Sequence, residues 1–226
     1  CTNNVLAIDG FIKREKLLRL VGCICKRKFT NDVILIRHLK RVIENGDILV
    51  LYPEARYSLC GTTAVLPESV GKLAKLLNVP VVTLITKGHH INSPFWNLTP
   101  RNNRVEADMT QILTKEQLQA YPADKINDII NTAFVYDDFA WQRDNKIAIN
   151  YKDRAKGLHK VLYQCPNCQT EYYMNSDKHY LWCEHCHKKW SMNEYGQLAA
   201  ETGDTEFSHI PDWYEWERSK DRKSVV

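Results

Sequence analysis

Four cysteines near the C-terminal end constrain this chain more than any other feature. They stand as Cys165-x2-Cys168, fourteen intervening residues, then Cys183-x2-Cys186. Two thiolates three residues apart fit on one tight knuckle whose backbone amides also reach the sulfurs. Two such knuckles, brought together by a hairpin, make a closed tetrahedral site. The intervening TEYYM and HYLW have strand composition, as such a hairpin requires. The spacing therefore predicts a small zinc ribbon, with zinc as a structural cofactor because four thiolates leave no position open to water. Four free cysteines at these intervals are the bland alternative, and the pairing speaks against it. His185 and His187 lie at the second knuckle. With four cysteines complete, they are expected to be solvated rather than ligating.

The length, 226 residues, suits one α/β domain plus a small appendage. The chain carries a formal charge of +4, which does not by itself separate nucleic acid from an anionic membrane or a phosphorylated substrate. Its longest apolar runs, LVGCIC and ILVLY, fall far short of the ~20 residues a spanning helix needs. No secretory leader opens the chain, and paired cysteines in that context read as metal ligands in a reducing cytoplasm. The abrupt start at Cys1, almost directly in the strand-like VLAI, leads us to expect a fragment or trimmed chain.

Strand and helix patterns alternate through the first two thirds. Val5–Ile8, Cys23–Lys28, Asp47–Tyr52, Pro80–Ile85 and RVEADM (104–109) read as strands. DGFIKREKLLRLVG (9–22), DVILIRHLKRVIEN (32–45) and ESVGKLAKLLN (68–78) carry apolar residues at helical spacing, with Gly46 just past the second. The stretch from Thr114 to about Trp141 reads as two helices broken near Tyr121-Pro122. Such alternation implies crossovers and a largely parallel sheet flanked by helices. The polar 142–157 has no pattern and reads as a linker, placing an α/β domain at 1–157 and the ribbon with an aromatic tail at 158–226.

The stretch LVLYPEARYSLCG (49–61) is where a buried-looking strand ends in chemistry. Glu54 and Arg56 would sit just beyond the strand's C-terminal end, where open α/β sheets deliver functional groups. Arg offers a planar fork for phosphate, and Glu can hold that Arg or bond a substrate hydroxyl. Ser58 and Gly61 suit a loop that bonds and approaches closely, while Lys28 ends an earlier strand at the rim of the same sheet.

In this order the pieces resemble the glycerolipid acyltransferase family, which includes 1-acylglycerol-3-phosphate acyltransferase. YPEARYS is similar to that family's F-P-E-G-T-R-S block. GCICKRKFTND is similar to its G-x-x-F-I-x-R block, with Lys28 in place of Arg, and VPVVTL to its V-P-V-x-P-V block. The resemblance covers about residues 4–110. It implies transfer of an acyl group from coenzyme A or acyl carrier protein to a lysophosphatidate-like acceptor, in phospholipid biosynthesis at the inner face of the membrane. Lys28 and Arg56 would hold the acceptor's phosphate, Glu54 would bond its hydroxyl or fix Arg56, and Ser58 and Gly61 would complete the loop. Two departures stand out. Arg56 follows Glu54 by two residues rather than three. The family's H-x-x-x-x-D block, which supplies the general base, is absent: no His precedes Gly22, and His38, His89 and His90 have no Asp five residues on. No catalytic residue is therefore assigned in this chain, and the chain as given is expected to be inactive alone.

Rival readings accompany these. A four-cysteine ribbon beside the basic KDRAKGLHK could form a binding or scaffold module on a non-catalytic acyltransferase domain, although the resemblance disfavours nucleic acid as the partner. GHHINSPFW (88–96) reads first as a loop packing Phe95 and Trp96 on the core, and second as a lid. HIPDWYEWER (209–218) is expected to dock on the ribbon, with peripheral membrane contact as the alternative.

Overall fold

The computed structural model describes residues 3–8, 23–26, 33–54 and 58–221, which fall into two compact units. The first comprises residues up to 56, with 64–83 and 109–134. Strand β1 (Asn3–Ile8) lies between β2 (Cys23–Lys26) and β3 (Ile48–Val50), parallel to both. Helix α1 (Val33–Glu44) buries Leu35, Leu39 and Val42, a stripe at helical spacing. It ends where the sequence indicated: Gly46 N–H donates to Ile43 O and Asp47 N–H to Val42 O, the two capping bonds that close a final turn.

Helix α2 (Ser69–Leu77) approaches a later helix, α5 (Ala123–Ala133), through Gly71. Any Cβ at Gly71 would stand 2.5 Å from Asn127 Oδ1, and the Gly71 amide donates to that same oxygen at 2.7 Å. Helix α4 (Lys115–Ala120) starts on a reciprocal cap: Gln117 N–H donates to Thr114 Oγ1, and Thr114 N–H to Gln117 Oε1. Pro122 separates α4 from α5, the expected break. Leu66, Leu113, Leu118, Ile126 and Ile130 form this unit's core.

The second unit comprises residues 57–63, 84–108 and 135 onward. It holds the one-turn α3 (His89–Asn92), α6 (Asp138–Asp144), the ribbon strands β6 (Met174–Asp177), β7 (Tyr180–Cys183), β8 (Lys189–Met192) and β9 (Leu198–Ala200), and α7 (Ile210–Asp221). The four strands pair in sequence order, each antiparallel to the last. Their inward face alternates strictly: Met174, Ser176, Leu181, Cys183, Trp190, Met192 and Leu198 are all buried. Trp213 of α7 packs edge-on against Trp190, and its indole N–H donates to Gln164 O at 2.9 Å. The aromatic tail therefore docks on its own ribbon.

Three expectations change. The sheet is not largely parallel: among the described residues parallel pairing stops at three strands. Strand β4 (Val81–Lys87) pairs with β5 (Glu106–Leu113) in a separate two-stranded sheet. Thr83 bonds Thr110 O and Lys87 pairs with Asp108, so position rises on one strand as it falls on the other and the pair is antiparallel. The connection holds one turn of helix amid Gly, Pro and Asn residues, not the long crossover helix a parallel pair requires. The polar stretch 142–157 is not a linker. Ile149 and Ala155 are buried in the second unit's core, Ile149 N–H donates to Glu194 O, and Arg154 Nε donates to Met192 O at 2.7 Å. The division between the units accordingly falls elsewhere than 157/158. Residues 114–144 form three helices, α6 being started by Asp137, which accepts from the Phe139 and Ala140 amides. The expected helix at 9–22 lies outside the described residues. Among those described, no helix is long and apolar enough to cross a membrane.

Candidate metal centre

The two cysteine pairs close on one another with the same local geometry. In the first knuckle Cys165 N–H donates to Thr170 O and Gln169 N–H to Cys165 O. In the second, Cys183 N–H donates to Lys188 O and His187 N–H to Cys183 O. Gln169 and His187, each the residue after a pair's second cysteine, both adopt left-handed backbone, with φ of 60°. That turn bends each loop back under its cysteines. The sequence reading did not single out these two positions, although they occupy equivalent places after each C-x-x-C.

All four sulfurs lie within 4.8 Å of one another. Cys165 and Cys186, and Cys168 and Cys183, are each 3.7 Å apart. Four sulfurs placed tetrahedrally at about 2.3 Å from a common ion stand ~3.8 Å apart, so this spacing is that of a ligand set. Cys165 and Cys183 are fully buried, and Cys168 and Cys186 are half-buried at the rim. The Asn167 side-chain amide faces Cys186 at 3.5 Å. Burial pushes the Cys165 and Cys183 thiols up, against backbone amides of their own knuckles that pull them down. Burial also raises Cys168, but the Thr170 side chain and backbone, together with His185, outweigh it and bring that thiol to about 6. His185 and His187 are exposed, as expected of residues outside the ligand set. The four cysteines could hold one metal ion. They are the one such group of His, Cys, Asp and Glu among the described residues.

The other candidate residues are less completely seen. Lys28 and Arg56 lie outside the described residues. Glu54 Oε2 accepts from the Ala64 amide at 3.3 Å. Ser58 Oγ donates to Thr62 O at 2.7 Å and accepts from Gly61 N–H at 2.9 Å, so it staples its own loop. Gly61 sits at φ +80°, its carbonyl accepts from Asp138 N–H, and a Cβ there would meet the His90 ring at 2.8 Å.

Around that ring the chain builds a buried polar cluster with no counterpart in the sequence reading. Asp138 is 1% exposed. Its Oδ1 accepts from Gly88 N–H at 2.6 Å and from the Tyr136 hydroxyl, and its Oδ2 from His90 N–H at 2.7 Å and Ile91 N–H at 3.2 Å. The carboxylate thus caps α3 from another helix. Beside it, His90 packs edge-on against Trp96 and Phe139. Trp96 is buried but Phe95 is half exposed, so GHHINSPFW packs one of its two aromatics inward.

Burial, reinforced by Arg101, lowers His90 from an ordinary 6.5 to about 4. The unfolded chain therefore takes up a proton at this position below 6.5 that the folded chain refuses until about 4. Stability present above pH 6.5 should fall across that window, by about 3 kcal/mol from this group. Urea unfolding of the native chain and His90→Phe at a series of pH values checks this. The variant should have the shallower pH slope between 6.5 and 4, and equal slopes would refute the assignment.

No family model, curated protein or solved structure matches the chain.

Proposed function

We propose that the chain is of the glycerolipid acyltransferase type, binds a lysophosphatidate-like acceptor, carries a structural zinc ribbon and, lacking the H-x-x-x-x-D block, is inactive as given. The observation that carries this reading is the direction of three strands. β2 and β3 flank β1 and run parallel to it, so both strands end toward the same edge of the sheet. In sequence, Lys28 follows β2, and Glu54 and Arg56 follow β3. Two strand spacings, roughly 10 Å, separate β2 from β3, a gap that long basic side chains could span toward one phosphate. Arg56 supplies a fork for two phosphate oxygens, Lys28 a point charge, and Glu54 an acceptor for the glycerol hydroxyl or for Arg56. The reaction forms an ester bond to that hydroxyl and breaks the donor's thioester, releasing a thiol of coenzyme A or acyl carrier protein. Held geometry is a large part of the rate in such transfers.

Zinc suits the cysteine cluster because four thiolates at tetrahedral spacing satisfy it and leave no position for substrate or water. Its part is to fix the knuckles, and the acyl transfer does not pass through it. The lipid acceptor places the protein at the cytoplasmic face of a membrane.

Calorimetric titration with a short-chain lysophosphatidate tests the shared edge. Arg56→Ala should weaken binding about ten- to a hundredfold, the loss of one strong charge-assisted pair. Lys28→Ala should cost less, and Glu54→Gln should reproduce part of the Arg56 loss if the carboxylate orients the guanidinium. Unchanged affinity in Arg56→Ala would refute the site. Because the chain has no H-x-x-x-x-D pair, thioester release with lysophosphatidate should stay near background. Robust turnover would reveal another general base and a wrong correspondence with the family.

A further inference from the structure

Helix α1 has an outer face that neither the fold nor the acceptor site uses. Leu35, Leu39 and Val42 are buried, and at 100° per residue the exposed positions fall on one continuous arc opposite them. Arg37 and Arg41 stand one turn apart at the middle of that arc, with Lys40 and His38 at its borders. Val33 and Ile34 open it, 71% and 62% exposed. Its one acid is Glu44, and none of Arg37, Lys40 and Arg41 forms an ion pair among the described residues. Arg41 complements the dipole of the helix's last turn, but Arg37 and Lys40 lie before it.

The chain's surplus of cations is unevenly placed. Residues 161–221 hold eleven Asp and Glu against five Lys and Arg, while the whole chain is +4, so most of the surplus precedes the ribbon. Exposed cations without acidic partners favour an anionic surface. A single-stranded nucleic acid would call for rings to stack on, and the arc has no Phe, Tyr or Trp. Its uncharged members are instead aliphatic. Val33 and Ile34 beside three cations match a surface that presents anionic headgroups over an acyl boundary.

We infer that the outer face of α1, through Arg37, Lys40 and Arg41 with Val33 and Ile34 at its first turn, is the docking surface for an anionic phospholipid bilayer. The inference rests on the lipid-acceptor reading above. It adds to the phosphate site a means of holding the chain at the surface where its acceptor resides.

Sedimentation of the intact, metal-bearing chain with vesicles tests it. One set is phosphatidylcholine alone and a second contains added phosphatidylglycerol. The chain should partition to the second set, weakly to the first, and lose most of its binding at high salt. Arg37→Gln/Arg41→Gln should lower partitioning roughly ten- to thirtyfold, and Lys40→Gln alone about fivefold. Val33→Ser/Ile34→Ser should lower it severalfold. Lys152→Gln/Lys178→Gln removes the same charge from two exposed positions outside α1 and should change little. Arg56→Ala should still sediment, and the α1 variants should still bind short-chain lysophosphatidate, so the two proposals fail separately. Four results would overturn the docking face: no partitioning to phosphatidylglycerol vesicles, equal partitioning to both sets, partitioning unchanged by Lys40→Gln and by the double arginine variant, or an equal loss in Lys152→Gln/Lys178→Gln, which would assign binding to net charge. Tighter binding of an oligonucleotide, abolished by the same α1 variants, would also overturn it, in favour of nucleic acid.

Discussion

Removing the metal is expected to unfold the whole second unit, and elemental analysis of the purified chain should find close to one zinc per molecule. The four sulfurs stand at ligand spacing, and two of them are fully buried. Structural zinc supplies an apparent ~10–16 kcal/mol in isolated fingers, as much as or more than the stability of a typical domain. The ribbon core is shared, not separate. Trp96, Phe139, Ile149 and Leu158 belong to the same cluster as Leu181, Trp190 and Trp213. Chelation, or Cys183→Ser, should therefore abolish amide-exchange protection in residues 88–101 and 138–155 as well as in the ribbon. Helices α2 and α5 belong to a different core and should retain theirs. A metal-free chain with a protected ribbon would refute the site. Loss confined to residues after 158 would refute the shared core.

The second large effect is expected at Asp138. One buried carboxylate accepts three backbone amides and a tyrosine hydroxyl. Asp138→Ala strands all four donors and should cost about 3–5 kcal/mol in urea unfolding, the range for breaking a buried charged network. Asp138→Asn separates shape from charge. Its one oxygen can keep the His90 and Ile91 amides, while its NH2 then faces the Gly88 amide. The Tyr136 hydroxyl can turn to accept. The cost should be roughly 1–3 kcal/mol, clearly below that of the alanine variant. Equal losses in the two variants would mean that packing, not the carboxylate, holds α3.

How legible these features were in the sequence depends on how local their causes are. The knuckles, the close of α1 at Gly46 and the break at Pro122 are set within a few residues, and spacing and turn chemistry reveal them. The pairing of β4 with β5 is decided over the intervening loop. Strand–helix alternation suggested a parallel crossover, but GHHINSPFWNLTPRNNR lacks helical periodicity and lets the chain turn back. The stretch 142–157 looked like a linker because its polar side chains, among them Gln142, Asn150 and Arg154, bond the ribbon's backbone or side chains, a use composition does not disclose. Asp138 was invisible for the opposite reason: in DDF it reads as a helix start, and only Asp137 plays that part. The candidate phosphate edge was read from the order of sequence blocks, and two of its residues, Lys28 and Arg56, lie outside the described residues.

That edge is tested most directly by comparing two ligands that differ only in the group it is meant to hold. Calorimetric titration of the chain with a short-chain lysophosphatidate and with the matching monoacylglycerol isolates the phosphate. The account predicts that the phosphate-bearing lipid binds at least about tenfold tighter and is displaced by glycerol 3-phosphate, as two charge-assisted contacts require. Equal affinity for the two lipids, or binding indifferent to glycerol 3-phosphate, would contradict it.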